Sequence, residues 1–182
     1  MTAPFPTFRY HPDPIGTGAF EQQAGVCRRC GESRGWVYVG APYCTADLRD
    51  ALCPWCVADG SAWATFQAEF TDLGVDEPGR ENVSADVLDE LAHRTPGFSA
   101  WQQERWLFHC DDATAYLGAV GWDELAEHPD ALQAVRDQVA GWGMDDGDVE
   151  AFVGSLDVDG ASTAYLFRCL HCGRHLAYAD AD

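Results

Sequence analysis

The chain has 182 residues, 47% of them hydrophobic, enough to bury the core of one ordinary domain or two small ones, so a disordered chain is excluded. Eleven basic residues, all arginine, stand against 30 acidic ones, a formal net charge of −19. That balance excludes general binding to nucleic acid or to anionic membranes, both of which want clustered cations, and leaves a basic protein partner or none.

The segment Met1–Tyr10 carries neither the basic nor the apolar region of a secretion signal, and no apolar run is long enough to span a bilayer. A cytoplasmic location is expected. In a reducing compartment the eight cysteines read as metal ligands or redox centres rather than structural disulfides. Residues 3–18 hold Pro6, Pro12 and Pro14 and predict an extended arm that docks by one face through Phe5, Phe8 and Tyr10. Gly35–Val39 predicts a short strand. Apolar residues at Ala62, Trp63, Phe66 and Phe70 predict a helix of about three turns. Leu73–Asn82 reads as a linker. Val83–His93 reads as a helix capped by Ser84, and Ser99 with Gln102 three residues on reads as another helix start. Strands are expected at Trp106–Cys110 and Ala113–Leu117, and Ala164–Arg168 and Leu176–Tyr178 flank a second cysteine knuckle. Between them Trp122–Val153 is expected to be mostly helical, with Pro129 in a first turn and Gly141 and Gly143 at an end.

The densest chemistry is two Cys-x-x-Cys pairs, Cys27/Cys30 and Cys53/Cys56, separated by 22 residues. Four thiolates at this spacing close a tetrahedron around zinc, and a closed site leaves no position for substrate, so it is structural. The competing reading is thiol–disulfide exchange at Cys53-Pro-Trp-Cys56, but such a motif should follow a buried strand, and Asp47–Leu52 is not one. A second cluster gathers Cys110, Cys169 and Cys172, with His109 or His175 as the fourth ligand. Cys27-x-x-Cys30-Gly31 and Cys169-x-x-Cys172-Gly173 form a weak internal repeat. Cys44 is left over as a core or loop residue. A separate polar site, of enzymatic type, is conceivable at His11 and Asp13 with Asp111 or Asp112 and the neighbouring His109. Trp101 and Trp106 are candidates for an exposed aromatic pair that anchors a partner. Neither a phosphate loop nor a hydrolase or zinc-deaminase motif is present.

The expected fold is α+β, zinc-stabilised, with two zinc-knuckle elements of treble-clef or ribbon type and an α-helical insert at 122–154. The expected organisation is an arm and first knuckle module over 1–75, and a helical segment with the second knuckle module over 76–182, packed as one body. One or two zinc ions are the expected cofactors.

The stretches FRYHPDPIGTG (8–18), GWVYVG (35–40), LCPWCVADGSA (52–62), RTPGFSAWQQERW with HC (94–110) and TAYLFRCLHCGRHLAYAD (163–180) resemble the CbrC family of bacterial proteins associated with tolerance to DNase-type colicins. The resemblance implies a cytoplasmic or envelope-associated bacterial protein with a protective role and names no reaction, and the acidic charge suits a basic nuclease toxin as partner of a non-enzymatic protein. It departs at Thr114, where the family pattern often has a cysteine. A histidine then completes the second cluster here, or that site is empty.

Overall fold

The computed structural model describes residues 4–74 and 77–181. Its centre is a three-stranded antiparallel sheet made of β5 (Ala115–Val120), β6 (Ser162–Arg168) and β7 (His175–Ala181), in that order. Side chains alternate across it, as strand geometry requires. Ala164, Leu166, Ala177 and Ala179 face one core, and Tyr165, Phe167 and Tyr178 face another. A bulge between Tyr116 and Gly118 lets β5 keep this alternation.

The small-residue face is covered by three helices, α4 (Trp122–Ala126), α5 (Pro129–Ala140) and α6 (Asp146–Gly154), where the helical stretch was expected. Pro129 opens α5, and Leu132, Val135 and Val139 bury one face against the sheet. Gln138 of α5 also covers the open edge of β7. Its amide donates to the Ala179 carbonyl at 3.0 Å and accepts from the Ala179 N–H at 2.8 Å, extending the ladder where no further strand pairs among the described residues.

The aromatic face packs on Phe98, the fully buried Trp106 and the N-terminal arm. The arm docks by one face, as expected, but it serves two cores. Phe5 and Phe8 join a first cluster with Phe20, Tyr38, Leu48, Leu52, Val57 and Phe70, whereas Tyr10 and His11 plug the aromatic face of the sheet. The first cluster also holds the short hairpin β1 (Phe20–Glu21) and β2 (Val37–Tyr38) and the helices α1 (Pro54–Ala58) and α2 (Ser61–Phe66).

Four local expectations need correction. The three-turn helix through Phe70 ends at Phe66, because Gln67 takes a left-handed conformation (φ 53°); Phe70 reaches the core from an extended segment instead. Ser99 starts no helix. The following N–H groups are taken by side chains of the sheet, Trp101 donating to the Tyr165 hydroxyl and Gln102 to Asp180. Trp106 is not an exposed anchor, since its indole is buried and donates to the Thr114 carbonyl at 2.8 Å; Trp101 alone is exposed. The stretch read as a linker forms a 3₁₀ turn at Arg80–Asn82 and buries Val83, while positions 75 and 76 within it lie outside the described residues. The helix capped by Ser84 is present as α3 (Ala85–Arg94), with the Ser84 hydroxyl accepting from the Val87 N–H.

His11 is fully buried, edge-on to Tyr116, its Nδ1–H donating to the Pro96 carbonyl at 2.9 Å and its Nε2 2.6 Å from the Thr17 hydroxyl. Burial pushes it down from 6.5 to about 4, against smaller upward pulls from the Pro96 carbonyl and Asp13. The unfolded chain therefore binds a proton near pH 6.5 that the folded chain refuses until about 4, and stability is full above this window and lost as the pH falls through it. The loss by pH 5 should be about 2 kcal/mol. Urea unfolding at pH 7 and pH 5 checks this: the parent chain should lose about 2 kcal/mol more than His11→Gln, and equal losses would show that His11 is not the group responsible.

Candidate metal centres and the Asp112 junction

Two groups of four side chains converge, Cys27/Cys30/Cys53/Cys56 and His109/Cys110/Cys169/Cys172, with all ligand atoms of each group within 4.8 Å of one another. Both could hold a metal ion. A tetrahedral ion bound at about 2.3 Å to sulfur and 2.0–2.1 Å to nitrogen sets its ligands about 3.8 Å apart for S···S and about 3.6 Å for N···S. The Cys30 and Cys53 sulfurs are 3.9 Å apart, and His109 Nδ1 lies 3.6 Å from the Cys172 sulfur and 3.2 Å from that of Cys110. The donor sets and their spacing fit the group.

Each cluster uses the same turn once. The Cys27 N–H donates to the Glu32 carbonyl and the Gly31 N–H to the Cys27 carbonyl; the Cys169 N–H donates to Arg174 and the Gly173 N–H to Cys169. The glycine that closes each turn has φ near +75°, namely 74° for Gly31 and 76° for Gly173, a conformation that costs a residue with a Cβ. The turn aims backbone N–H groups at the first sulfur. Thiol and backbone donors, led by the Cys53 side chain, hold Cys27 down to about 4. Cys169 is held down to about 6 by the Cys172 and His171 N–H groups in spite of its burial.

The other half of each cluster differs. In the first, Cys53 stands at the N-cap of α1, with Pro54 after it, and its own N–H donates to the Cys27 sulfur at 3.3 Å. Three of its four cysteines are buried in the first core. In the second, His109 and Cys110 come from the hairpin of β3 (Phe108–His109) and β4 (Asp112–Ala113). Adjacent ligands are awkward on an ordinary strand. Here Cys110 and Asp111 both have positive φ (54° and 57°), the two-residue primed turn, which swings the Cys110 sulfur beside the His109 ring. Neither is glycine, so the hairpin tip carries strain of order 1 kcal/mol or more per residue. This cluster is open to solvent at Cys110 and Cys172.

Of the two histidine alternatives, His109 joins the cluster. His175 instead lies against His128, ring centroids 4.0 Å apart, at the start of β7. Thr114, the point of departure from the resembled pattern, is buried and donates to the Leu107 carbonyl. Cys44 joins neither group and donates to the Ala46 carbonyl.

The polar site expected at His11, Asp13 and Asp112 is not assembled by hydrogen bonds. Asp13 accepts from the Gly16 N–H, and His11 faces Pro96 and Thr17. Asp112 gathers other partners, and all four lone-pair directions of its buried carboxylate are used. Oδ1 accepts from the Tyr10 hydroxyl (2.7 Å) and the Ala113 N–H (2.9 Å); Oδ2 accepts from Arg9 (2.6 Å) and His171 Nε2 (2.8 Å). Burial, reinforced by this hydrogen bond, pushes the Tyr10 phenol well above its usual value. His171 and Arg9 were not singled out in the sequence. The available signal for His171 was its place between the two ligands of a Cys-x-x-Cys pair; nothing local announces Arg9.

Residues 5–181 match an uncharacterised protein family, UPF0167. A UPF0167 protein of Mycobacterium bovis is 50% identical over 175 residues, 96% of this chain and 92% of the relative. A UPF0167 protein of Pseudomonas aeruginosa is 40% identical over 184 residues, 100% of this chain and 99% of the relative. No solved structure matches.

Replacing Asp112 by Ala leaves a buried phenol and a buried N–H without an acceptor and frees both His171 and the arm. The expected cost is about 3 kcal/mol in denaturant unfolding at neutral pH. A Tyr10→Phe chain, which removes only one donor, should lose about 1 kcal/mol; equal losses in the two variants would show that Asp112 does not tie the arm to the 169–174 turn.

Proposed function

This chain belongs to the uncharacterised protein family UPF0167, and on that premise we propose that it is a non-enzymatic zinc protein that presents an acidic surface to a basic protein partner. The observation that carries the reading is the convergence of two complete four-ligand sets, one all-thiolate and one of three thiolates with an imidazole. Thiolate and imidazole donors in a tetrahedral arrangement suit zinc, and four protein ligands leave it no open position for substrate. We read both Cys-x-x-Cys-Gly turns as zinc knuckles. The first, paired with cysteines at a helix start, is of treble-clef type; the second, paired with a hairpin tip, is closer to a ribbon.

Partner chemistry follows from charge. A chain at −19 attracts basic surfaces and repels nucleic acid. The CbrC-type resemblance narrows the partner to a DNase-type bacteriocin, whose DNA-binding surface would be covered in the cytoplasm. The thiol-exchange reading of Cys53 and Cys56 has less support, because the Cys27 and Cys30 sulfurs close around them. The enzymatic reading has less support because His11 and Asp13 stand apart from the His109–Asp112 hairpin in their hydrogen bonding.

Metal analysis of protein purified without added metal should give about two zinc ions per chain with few reactive thiols. Cys53→Ser should abolish soluble folded chain, since zinc binding free energy at a core site is folding free energy. Cys172→Ser, at the exposed site, should leave a folded chain with about one zinc. A zinc-free native protein with a reactive Cys53 would overturn the structural reading in favour of redox chemistry. Binding to a colicin-type DNase domain should be salt-sensitive, and no binding at low ionic strength would remove that partner.

A further inference from the structure

Asp180 of β7 is as buried as Asp112, at 4% exposure, yet the two carboxylates are served differently. Asp112 has donors on both oxygens, one of them an arginine. Asp180 has the Gln102 N–H on Oδ2 at 2.7 Å, and among the described residues no donor on Oδ1 and no ion pair. Oδ1 is not sealed in. The buried side-chain atoms that lack both surface and partner are Thr71 Oγ1 and Arg80 Nε, so Oδ1 remains accessible. A carboxylate held this deep costs free energy until a donor, and best a cation, reaches it.

Asp180 lines a polar cavity of about 250 Å³ between β7, the C-terminal end of α5 and the segment 102–105. The donors around it are committed elsewhere. The side-chain amide N–H groups of Gln102, Gln103 and Gln138 go to the Ala181 carbonyl, to Asp72 and to the Ala179 carbonyl. That leaves the side-chain carbonyls of Gln102 and Gln103 without a donor among the described residues. Arg105 donates through Nε and Nη2 to Glu77, at 2.7 and 3.0 Å, and lies over the Tyr178 ring. Its charge is thereby matched. The remaining wall is the Trp142 indole, 47% exposed. The cavity therefore presents an unpaired carboxylate, further acceptors and an aromatic surface.

We infer that this cavity binds a guanidinium group carried on an alkyl chain. A planar cation with five N–H donors can meet a carboxylate and two amide carbonyls at once and stack on an indole, which a compact ammonium with three donors does less well. A free arginine-like molecule and an arginine side chain of a basic protein share this chemistry. The inference rests neither on metal in the clusters nor on a toxin as partner.

The test is calorimetric titration of the full chain with L-arginine and with the blocked tripeptide acetyl-Gly-Arg-Gly-amide, each against its citrulline counterpart, which has the same shape and no charge. At least one arginine compound should bind about ten-fold or more tighter than its counterpart, and the tighter of the two identifies the source. Asp180→Asn still offers an oxygen to the Gln102 N–H, so it should fold with a melting midpoint near that of the parent and bind about ten-fold or more weaker. Trp142→Ala, a change at an exposed side chain, should weaken binding about three-fold and serves if the first variant does not fold. Failure of both arginine compounds to bind would overturn the inference and mean that water serves Asp180. Citrulline compounds that bind as well, or a folded variant that binds as the parent does, would overturn it too.

Discussion

One carboxylate joins the parts of this protein that sequence distance separates most. Asp112 stands in the short hairpin and accepts from Arg9 and Tyr10, about a hundred residues before it, and from His171, about sixty residues after it. Burying a charge is tolerated only where its hydrogen bonds are met, and here every lone-pair direction is occupied. Three consequences follow from the same contact. The arm is fixed where Tyr10 and His11 close the aromatic face of the sheet; the turn of residues 169–174 is held against the hairpin; and the strained tip at Cys110 and Asp111 is pinned between them. The chain commits one of its eleven arginines to this contact.

The two clusters share a turn and differ in what the turn is joined to. Around Cys27 the partner is a helix start inside an apolar core, and Cys27, Cys53 and Cys56 count among its buried side chains. Around Cys169 the partner is a hairpin tip, and two of the three cysteines reach solvent. A metal ion at the first site would join side chains that are part of an apolar core, whereas at the second it would cross-link the β3–β4 hairpin to the 169–174 turn, which Asp112 and His171 already hold together. A bound metal would therefore contribute to folding in one place and to local rigidity in the other.

What the sequence made legible was local. The spacing of Cys27, Cys30, Cys53 and Cys56 announces a convergent set, since each pair forms one turn of backbone. Ser84 announces a cap three residues before the N–H that it accepts, and Pro129 announces a first turn. The misreadings have other causes. Gln67 ends a helix in a left-handed conformation without being glycine or asparagine, and Ser99 loses its helix to hydroxyl and carboxylate acceptors on strands sixty to eighty residues away. The second is a case of tertiary contacts overriding a local preference; the first is a local cap on Trp63 by a residue type that seldom marks one. The choice of His109 over His175 was not legible either. It depends on a two-residue turn with positive φ at Cys110 and Asp111, residues that mark such turns far less clearly than Asn-Gly.

Loop closure orders the assembly of these parts. The first cluster closes a loop of 22 residues between Cys30 and Cys53, the second one of 58 between Cys110 and Cys169. The logarithmic growth of closure entropy makes the second dearer by only about 1 kcal/mol, so length alone does not separate them. The difference lies in what must already be in place. The first cluster needs the β1–β2 hairpin and α1, all within residues 20–58. The second needs β6 and β7 paired, the β3–β4 hairpin formed and Asp112 reached by His171, and the sheet that supports it carries three helices between β5 and β6. A chain built this way brings the four side chains of its first cluster together through local contacts, whereas those of the second converge only across the assembled sheet.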